Sequence, residues 1–211
     1  MLEIILARHG ETDWNVAEVF RGRADVGLNE TGLKQAALLG EYLGHLRIVA
    51  VRSSPLKRAR QTAGEVARHH GLEVAVADGL IDFDYGKWQG LSHREVRDSY
   101  KELYAAWREH PEGMTMPDGE SLGDVRERGM AVVADAVAGY DGGTVVLVSH
   151  RVVNKVLTCA LLGLDNARFW NIRQDTCGIT RFNYTGGTFI LTGHNDTSYL
   201  QSLHGTALAD F

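Results

Sequence analysis

The chain has 211 residues, with 22 Lys and Arg against 27 Asp and Glu, a formal charge of −5 near neutral pH. That length suits one α/β domain carrying an insertion, and the acidic balance argues against a general nucleic-acid binder while leaving room for a local basic pocket. Cys159 and Cys177 lack CxxC spacing, so neither a disulfide framework nor a zinc site is indicated. No apolar run reaches membrane-spanning length and no basic-then-apolar leader opens the chain, so a cytoplasmic protein without membrane or nucleic-acid partners is expected.

In chain order, the apolar run Ile4-Ile5-Leu6 reads as a buried parallel strand that changes at once into Arg8-His9-Gly10 and the polar stretch Glu11 to Asn15. In open α/β sheets, ligands bind outside the carboxyl ends of strands, which is where Arg8 and His9 fall. Gly10 allows a turn and a close ligand approach, and a helix starting within Glu11 to Asn15 would aim amides at an anion. Val19 to Leu28 reads as an irregular segment over the mouth of that strand. A helix from Asn29 through Gly44 follows, with Leu33, Ala36, Ala37, Leu39 and Leu43 in its apolar stripe. Ile48 to Val51 is a strand ending in Arg52-Ser53-Ser54-Pro55-Leu56, and the next helix runs to about His70, where Gly71 stops it. Leu72 to Val76 is an edge strand, and Asp78 to Gly90 is a loop rich in glycine and aromatics. A helical insertion at about 92–140 contains helices over Ser92 to His110 and Ser121 to Tyr140. Thr144 to Val148 is the strongest strand signal, delivering Ser149-His150-Arg151 to the start of a helix over Val152 to Leu162. Ile179 to Tyr184 and Thr188 to Thr192 form a hairpin through Gly186-Gly187, followed by a polar, weakly patterned tail after His194. The whole reads as an α/β fold of three layers: a mainly parallel sheet flanked by helices, with a terminal hairpin at one edge.

Three strand ends thus carry one kind of cargo: Arg8 with His9, Ser53-Ser54 leading to Arg58 and Arg60, and Ser149-His150-Arg151. Packing alone would be better served by apolar side chains. Phosphoryl transfer explains the residue types, because its transition state spreads charge over three oxygens that guanidinium groups match. A histidine nitrogen can act as nucleophile, and a carboxyl can protonate the departing oxygen and later take a proton from water. No Asp/His cluster has metal-ligand spacing, so no metal or other cofactor is expected. A dinucleotide-binding oxidoreductase lacks support, since no GxGxxG follows the first strand.

Arg8-His9-Gly10-Glu11-Thr12 with Asn15, Ser53-Ser54-Pro55-Leu56-Lys57-Arg58-Ala59, Tyr85-Gly86-Lys87-Trp88-Gln89-Gly90 and Val148-Ser149-His150 resemble, in order, the motifs of the histidine phosphatase superfamily, also called phosphoglycerate mutase-like. The resemblance implies the phosphoglycerate mutase-like fold, His9 as phosphorylated nucleophile, Arg8, Arg58 and His150 as the phosphate pocket, and Asn15 as a further contact. It places Glu11 and Glu120 among the groups that hold the pocket together. The family's usual acid/base is a glutamate four residues before the glycine matching Gly86; here Asp82 stands there, one methylene shorter, with Asp84 as a rival. A second departure is Arg151, where many relatives have glycine. An arginine in a first helical turn opposes the helix dipole and needs an anion, supplied by a protein carboxylate or by the substrate. With Arg21 and Arg23 in the loop over the mouth, it suggests a substrate with a second anionic group, bound by Arg21 and Arg151.

The expected activity is a metal-independent phosphomonoesterase acting on a small phosphate ester, with a homodimer left open. Phosphoglycerate mutase is the alternative, weakened because Arg94, Arg97 and Arg108 are dispersed where mutases carry an adjacent arginine pair. A non-catalytic phospho-ligand binding module is the second alternative. Asn195 to Leu200 resembles a closing motif of α-ribazole phosphatase-like members.

Overall fold

In a computed structural model, which describes residues 1–203, the side chains of the first strand alternate between two cores. Strand β1 (Leu2–Arg8) sends Leu2, Ile4 and Leu6 to one face and Ile5 and Ala7 to the other, so its unbroken apolar run is buried on both sides. Strand β4 (Gly143–Ser149) does the same with Val145 and Leu147 against Val146 and Val148. With β2 (Ile48–Ser53), β3 (Val74–Val76), β5 (Ile179–Thr185) and β6 (Thr188–Asp196) they form one six-stranded sheet, ordered β3-β2-β4-β1-β5-β6. The first four positions are parallel and the terminal hairpin is antiparallel. Gly186 and Gly187 both take positive φ in the hairpin turn, a backbone region that glycine enters without a Cβ penalty.

One face is covered by α2 (Glu30–Leu43) and α3 (Lys57–Arg68), joined to the sheet through Leu39, Leu43, Ala63 and Val66. The other is covered by α6 (Leu122–Gly139) and α7 (Arg151–Leu161), with Leu122, Val125, Val153 and Leu157 in its core. Asn29 caps α2, its side chain accepting from the amide of Gly32, and Ser121 caps α6 in a reciprocal box with Asp124. The polar stretch after His9 forms a single turn, α1 (Asp13–Val16), capped by Thr12.

Two readings need correction. The helix expected over Ser92 to His110 is broken at Tyr100 into α4 (His93–Ser99) and α5 (Lys101–Glu109), because Tyr100 leaves helical geometry at φ −129°, ψ 46° while its ring packs near Trp88. The last strand runs on to Asp196, held by the Asn195 amide donating to Thr180 Oγ1. Among the described residues, no helix is long and apolar enough to cross a membrane. Residues 204–211, the end of the polar tail, lie outside the described part.

Candidate active site

The neighbouring parallel strands β1 and β4 pair Arg8 with Ser149, so the next residue of each, His9 and His150, emerges at the same edge of the sheet. Their ring centroids lie 5.1 Å apart. Gly10 turns the chain away against the start of α2, where a Cβ would lie 2.6 Å from the Gly32 carbonyl oxygen; only glycine fits without backbone movement. Nδ1 of His9 lies 2.6 Å from the carbonyl oxygen of Gly10. A carbonyl only accepts, so Nδ1 carries the proton and Nε2 keeps its lone pair. Burial first, and then the charges of Arg58, His150, Arg8 and Arg21, hold the His9 pKa well below 6.5. The ring is therefore neutral at neutral pH, with the Nε2 lone pair accepting from Arg58 Nε.

Arg58, on the first turn of α3, has four acceptors. Its Nε lies 3.3 Å from His9 Nε2, Nη1 donates to the Ala24 carbonyl, and Nη2 donates to the Gly22 carbonyl and to Asp82 Oδ2, both at 2.9 Å. Asp82 is 4% exposed; its second oxygen accepts from the Phe83 amide. Oδ2 is also 3.5 Å from His150 Nδ1. His150 Nε2 pairs with Ser54 Oγ at 2.7 Å, and burial together with Arg58 depresses its pKa well below the ordinary value. Arg8 donates to the Gln174 carbonyl at the back of the site. His9, Arg58, Asp82, His150 and Arg8 thus share one buried volume.

Asp84 does not join it. Its Oδ1 accepts from the Gly86 amide and its Oδ2 pairs with Arg23, which explains it as a turn-former. Asn15 stands one loop away with its Oδ1 taken by the amide and hydroxyl of Thr12, both at 2.9 Å. Arg21 lies on the loop over the mouth, and Arg151 opens α7 and hydrogen-bonds Tyr85. Trp88 is fully buried and belongs to the core, and Tyr85 packs against Phe20 and Phe83.

Sequence reasoning named Glu120 as a support of the pocket but missed Arg128, which holds the backbone of Asp82. Arg128 of α6 donates to the carbonyls of Gly79, Ile81 and Asp82 and makes two bonds to Glu120, whose Oε2 also accepts from the Asp84 amide. The signal was present: position 128 falls three residues after core Val125 on the stripe facing inward, where an arginine is out of pattern. Cys177, notable in the sequence only for lacking CxxC spacing, donates its amide to the His9 carbonyl. Asn195 pairs with Asp175, and Tyr199 donates to the Cys177 carbonyl, so the Asn195 to Leu200 stretch braces this segment, a scaffold role that carries no substrate assignment.

Fold and site together define an α/β protein in which two buried imidazoles and a carboxyl group meet around the guanidinium of Arg58 at one edge of the sheet. The chain belongs to the histidine phosphatase superfamily, whose branch 1 family model matches residues 4–197. It is similar to phosphoserine phosphatase 1 of Hydrogenobacter thermophilus, 38% identical over 175 residues, covering 83% of each chain. A probable phosphoglycerate mutase, GpmB, of Salmonella arizonae is 32% identical over 197 residues, 92% of this chain and 90% of that protein. Among solved structures, the mycobacterial glucosyl-3-phosphoglycerate phosphatase complexed with VO3 superposes with a TM-score of 0.87 at 32% identity, covering 92% of this chain and 99% of that one. With these relatives the chain is a phosphoric monoester hydrolase.

Proposed function

We propose that the enzyme hydrolyses a small phosphorylated metabolite without a metal, in two steps through a phosphohistidine on Nε2 of His9, with Asp82 as general acid and base. The observation that carries this reading is the 2.6 Å contact of His9 Nδ1 with the Gly10 carbonyl, which leaves the lone pair on Nε2, directed at the Arg58 guanidinium beside Asp82 and His150. Nε2 attacks phosphorus, the ester P–O bond breaks, and the departing oxygen takes from Asp82 a proton that the Arg58-paired carboxylate has first taken up from solvent. A water then attacks the phosphohistidine, giving its proton to Asp82 as the N–P bond breaks and inorganic phosphate forms. Arg8, Arg58 and His150 hold the phosphoryl oxygens, and the charge spread over those oxygens in the transition state is what planar guanidinium donors match best. The Asn15 amide nitrogen supplies a further donor, and Arg21 and Arg151 contact the rest of the substrate. The cytoplasm is the proposed location; both cysteines are free and buried.

The test is hydrolysis of p-nitrophenyl phosphate in the presence of a chelator, expected to proceed and to disappear in His9→Ala. Quenched enzyme should carry acid-labile, base-stable phosphate on His9. Wild-type protein that binds phosphate but hydrolyses no ester would instead identify a binding module. The similarity to a probable phosphoglycerate mutase supports a second reading, transfer of the phosphoryl group to a bound acceptor. Incubation with phosphoglycerate and a bisphosphoglycerate primer separates the two, since a phosphatase releases inorganic phosphate and a mutase interconverts the isomers.

A further inference from the structure

Arg58 and Arg21 lie close in the fold, since the loop carrying Arg21 is pinned where Arg58 donates to the carbonyls of Gly22 and Ala24. Their circumstances differ. Arg58 spends four of its five N–H donors on the protein, whereas Arg21 has its Nε buried without an acceptor, and no described residue gives its guanidinium a hydrogen bond or an ion pair. A buried guanidinium N–H without an acceptor is unfavourable, and a site keeps such a group where a ligand completes it; the Arg21 side chain is only partly buried, so its outer end is open to one. Arg21 follows Phe20, whose ring stacks on His93 at 4.2 Å and meets Tyr85 edge-on at 4.9 Å. Tyr85 in turn is hydrogen-bonded by Arg151 at the start of α7. Arg21 therefore stands between the proposed phosphate pocket and the aromatic cluster of buried Phe20 and Tyr85 with His93.

We infer that Arg21 is the specificity-determining residue for an anionic leaving group: the enzyme selects phosphate monoesters whose alcohol portion carries a second negative charge, which Arg21 receives beside Tyr85 and Phe20. This rests on the hydrolytic reading above and adds the substrate class to it. Burial and the nearby charge of Arg8, opposed by Asp82, push the Arg21 pKa down to about 9, so it remains a cation at neutral pH. Its charge acts on His9 in the pocket and also on Tyr85 and His93 in the aromatic cluster, as expected of a group that spans the two.

Three synthetic esters test this: phosphoglycolate, its neutral methyl ester, and ethylene glycol bisphosphate. Each is measured on wild-type enzyme, Arg21→Met and Arg21→Lys. The wild type should favour at least one dianion-plus-anion substrate over the methyl ester, and Arg21→Met should cut that ratio of kcat/KM values about 10- to 100-fold, mainly through KM, as loss of a charge-assisted hydrogen bond does. Arg21→Lys should restore part of it. The arm that responds, carboxylate or second phosphate, identifies the anion. A ratio unchanged in Arg21→Met, or no preference in the wild type, overturns the inference. Calorimetric titration of phosphoglycolate into His9→Ala, with and without Arg21→Met, separates the two readings: an affinity lost about tenfold supports the anion site even if no ester is turned over, and an affinity unchanged overturns it even if turnover is fast.

Discussion

The guanidinium of Arg58 touches both ends of the proposed reaction, with Nε 3.3 Å from His9 Nε2 and Nη2 2.9 Å from Asp82 Oδ2. Because both partners are buried, removing the arginine leaves a carboxylate without its counter-charge. Arg58→Met should lose about 3–5 kcal/mol of stability, whereas Arg58→Met with Asp82→Asn should recover much of it. Urea denaturation of the four members of the cycle measures this, and equal losses in the single and double variants would contradict the coupling.

Asp82→Asn keeps the shape of the site and removes the proton donor. Hydrolysis of alkyl phosphates should fall about 10²- to 10⁴-fold, while p-nitrophenyl phosphate, whose leaving group needs less protonation, should lose far less. Asp84→Asn should show no such dependence on leaving group, since Asp84 is occupied by Gly86 and Arg23. Steady-state kinetics over a leaving-group series decides between them.

Arg128 fixes the backbone on both sides of Asp82, including the Ile81 carbonyl at 2.6 Å. An aspartate, with its short reach, depends more on backbone placement than a glutamate would. Arg128→Lys should therefore lower kcat by about tenfold with KM little changed, since a small misplacement of a reacting group is expensive in rate. A change confined to KM would assign Arg128 to substrate binding instead.

Acid should destabilise the fold before the carboxylates titrate. His9 and His150 have folded-state pKa values well below 6.5, and burial with nearby arginines lowers His93 to about 4. The unfolded chain takes up protons at these histidines near 6.5 and the folded chain does not, so stability falls as pH drops from 6.5 toward 4.5. The melting temperature should be level above pH 7 and decline through that window, and His93→Phe should make the decline shallower. A flat profile would show that these imidazoles are protonated in the folded state. By the same shift, His9 stays unprotonated in mild acid, so activity should not fall through protonation of the nucleophile between pH 7 and 6.

The strands that deliver His9 and His150 were legible in the sequence because double-sided burial leaves an apolar run that stops abruptly at polar cargo. Asn29 and the pair Gly186-Gly187 were equally readable, since a cap and a positive-φ turn are decided locally. The break at Tyr100 was not, because it depends on where an aromatic ring packs. Nor were the links from Arg128 to Ile81 or from Cys177 to His9, which span 47 and 168 residues and use backbone atoms that carry no sequence signature. Arg8, His9, Arg58, Asp82 and His150 converge as the motif order suggested, whereas Asn15 is committed to the Thr12 cap through its oxygen.

Strand pairing sets His9 beside His150, while Tyr85, His93 and the helix whose Arg128 clamps Asp82 belong to the excursion between β3 and β4. Descendants of such a chain can remodel that excursion, lengthening it or exchanging its aromatics, and inherit the same spacing between imidazoles. Novel preferences can thus accumulate on one stretch of sequence while the seam between two strands keeps the reaction unchanged.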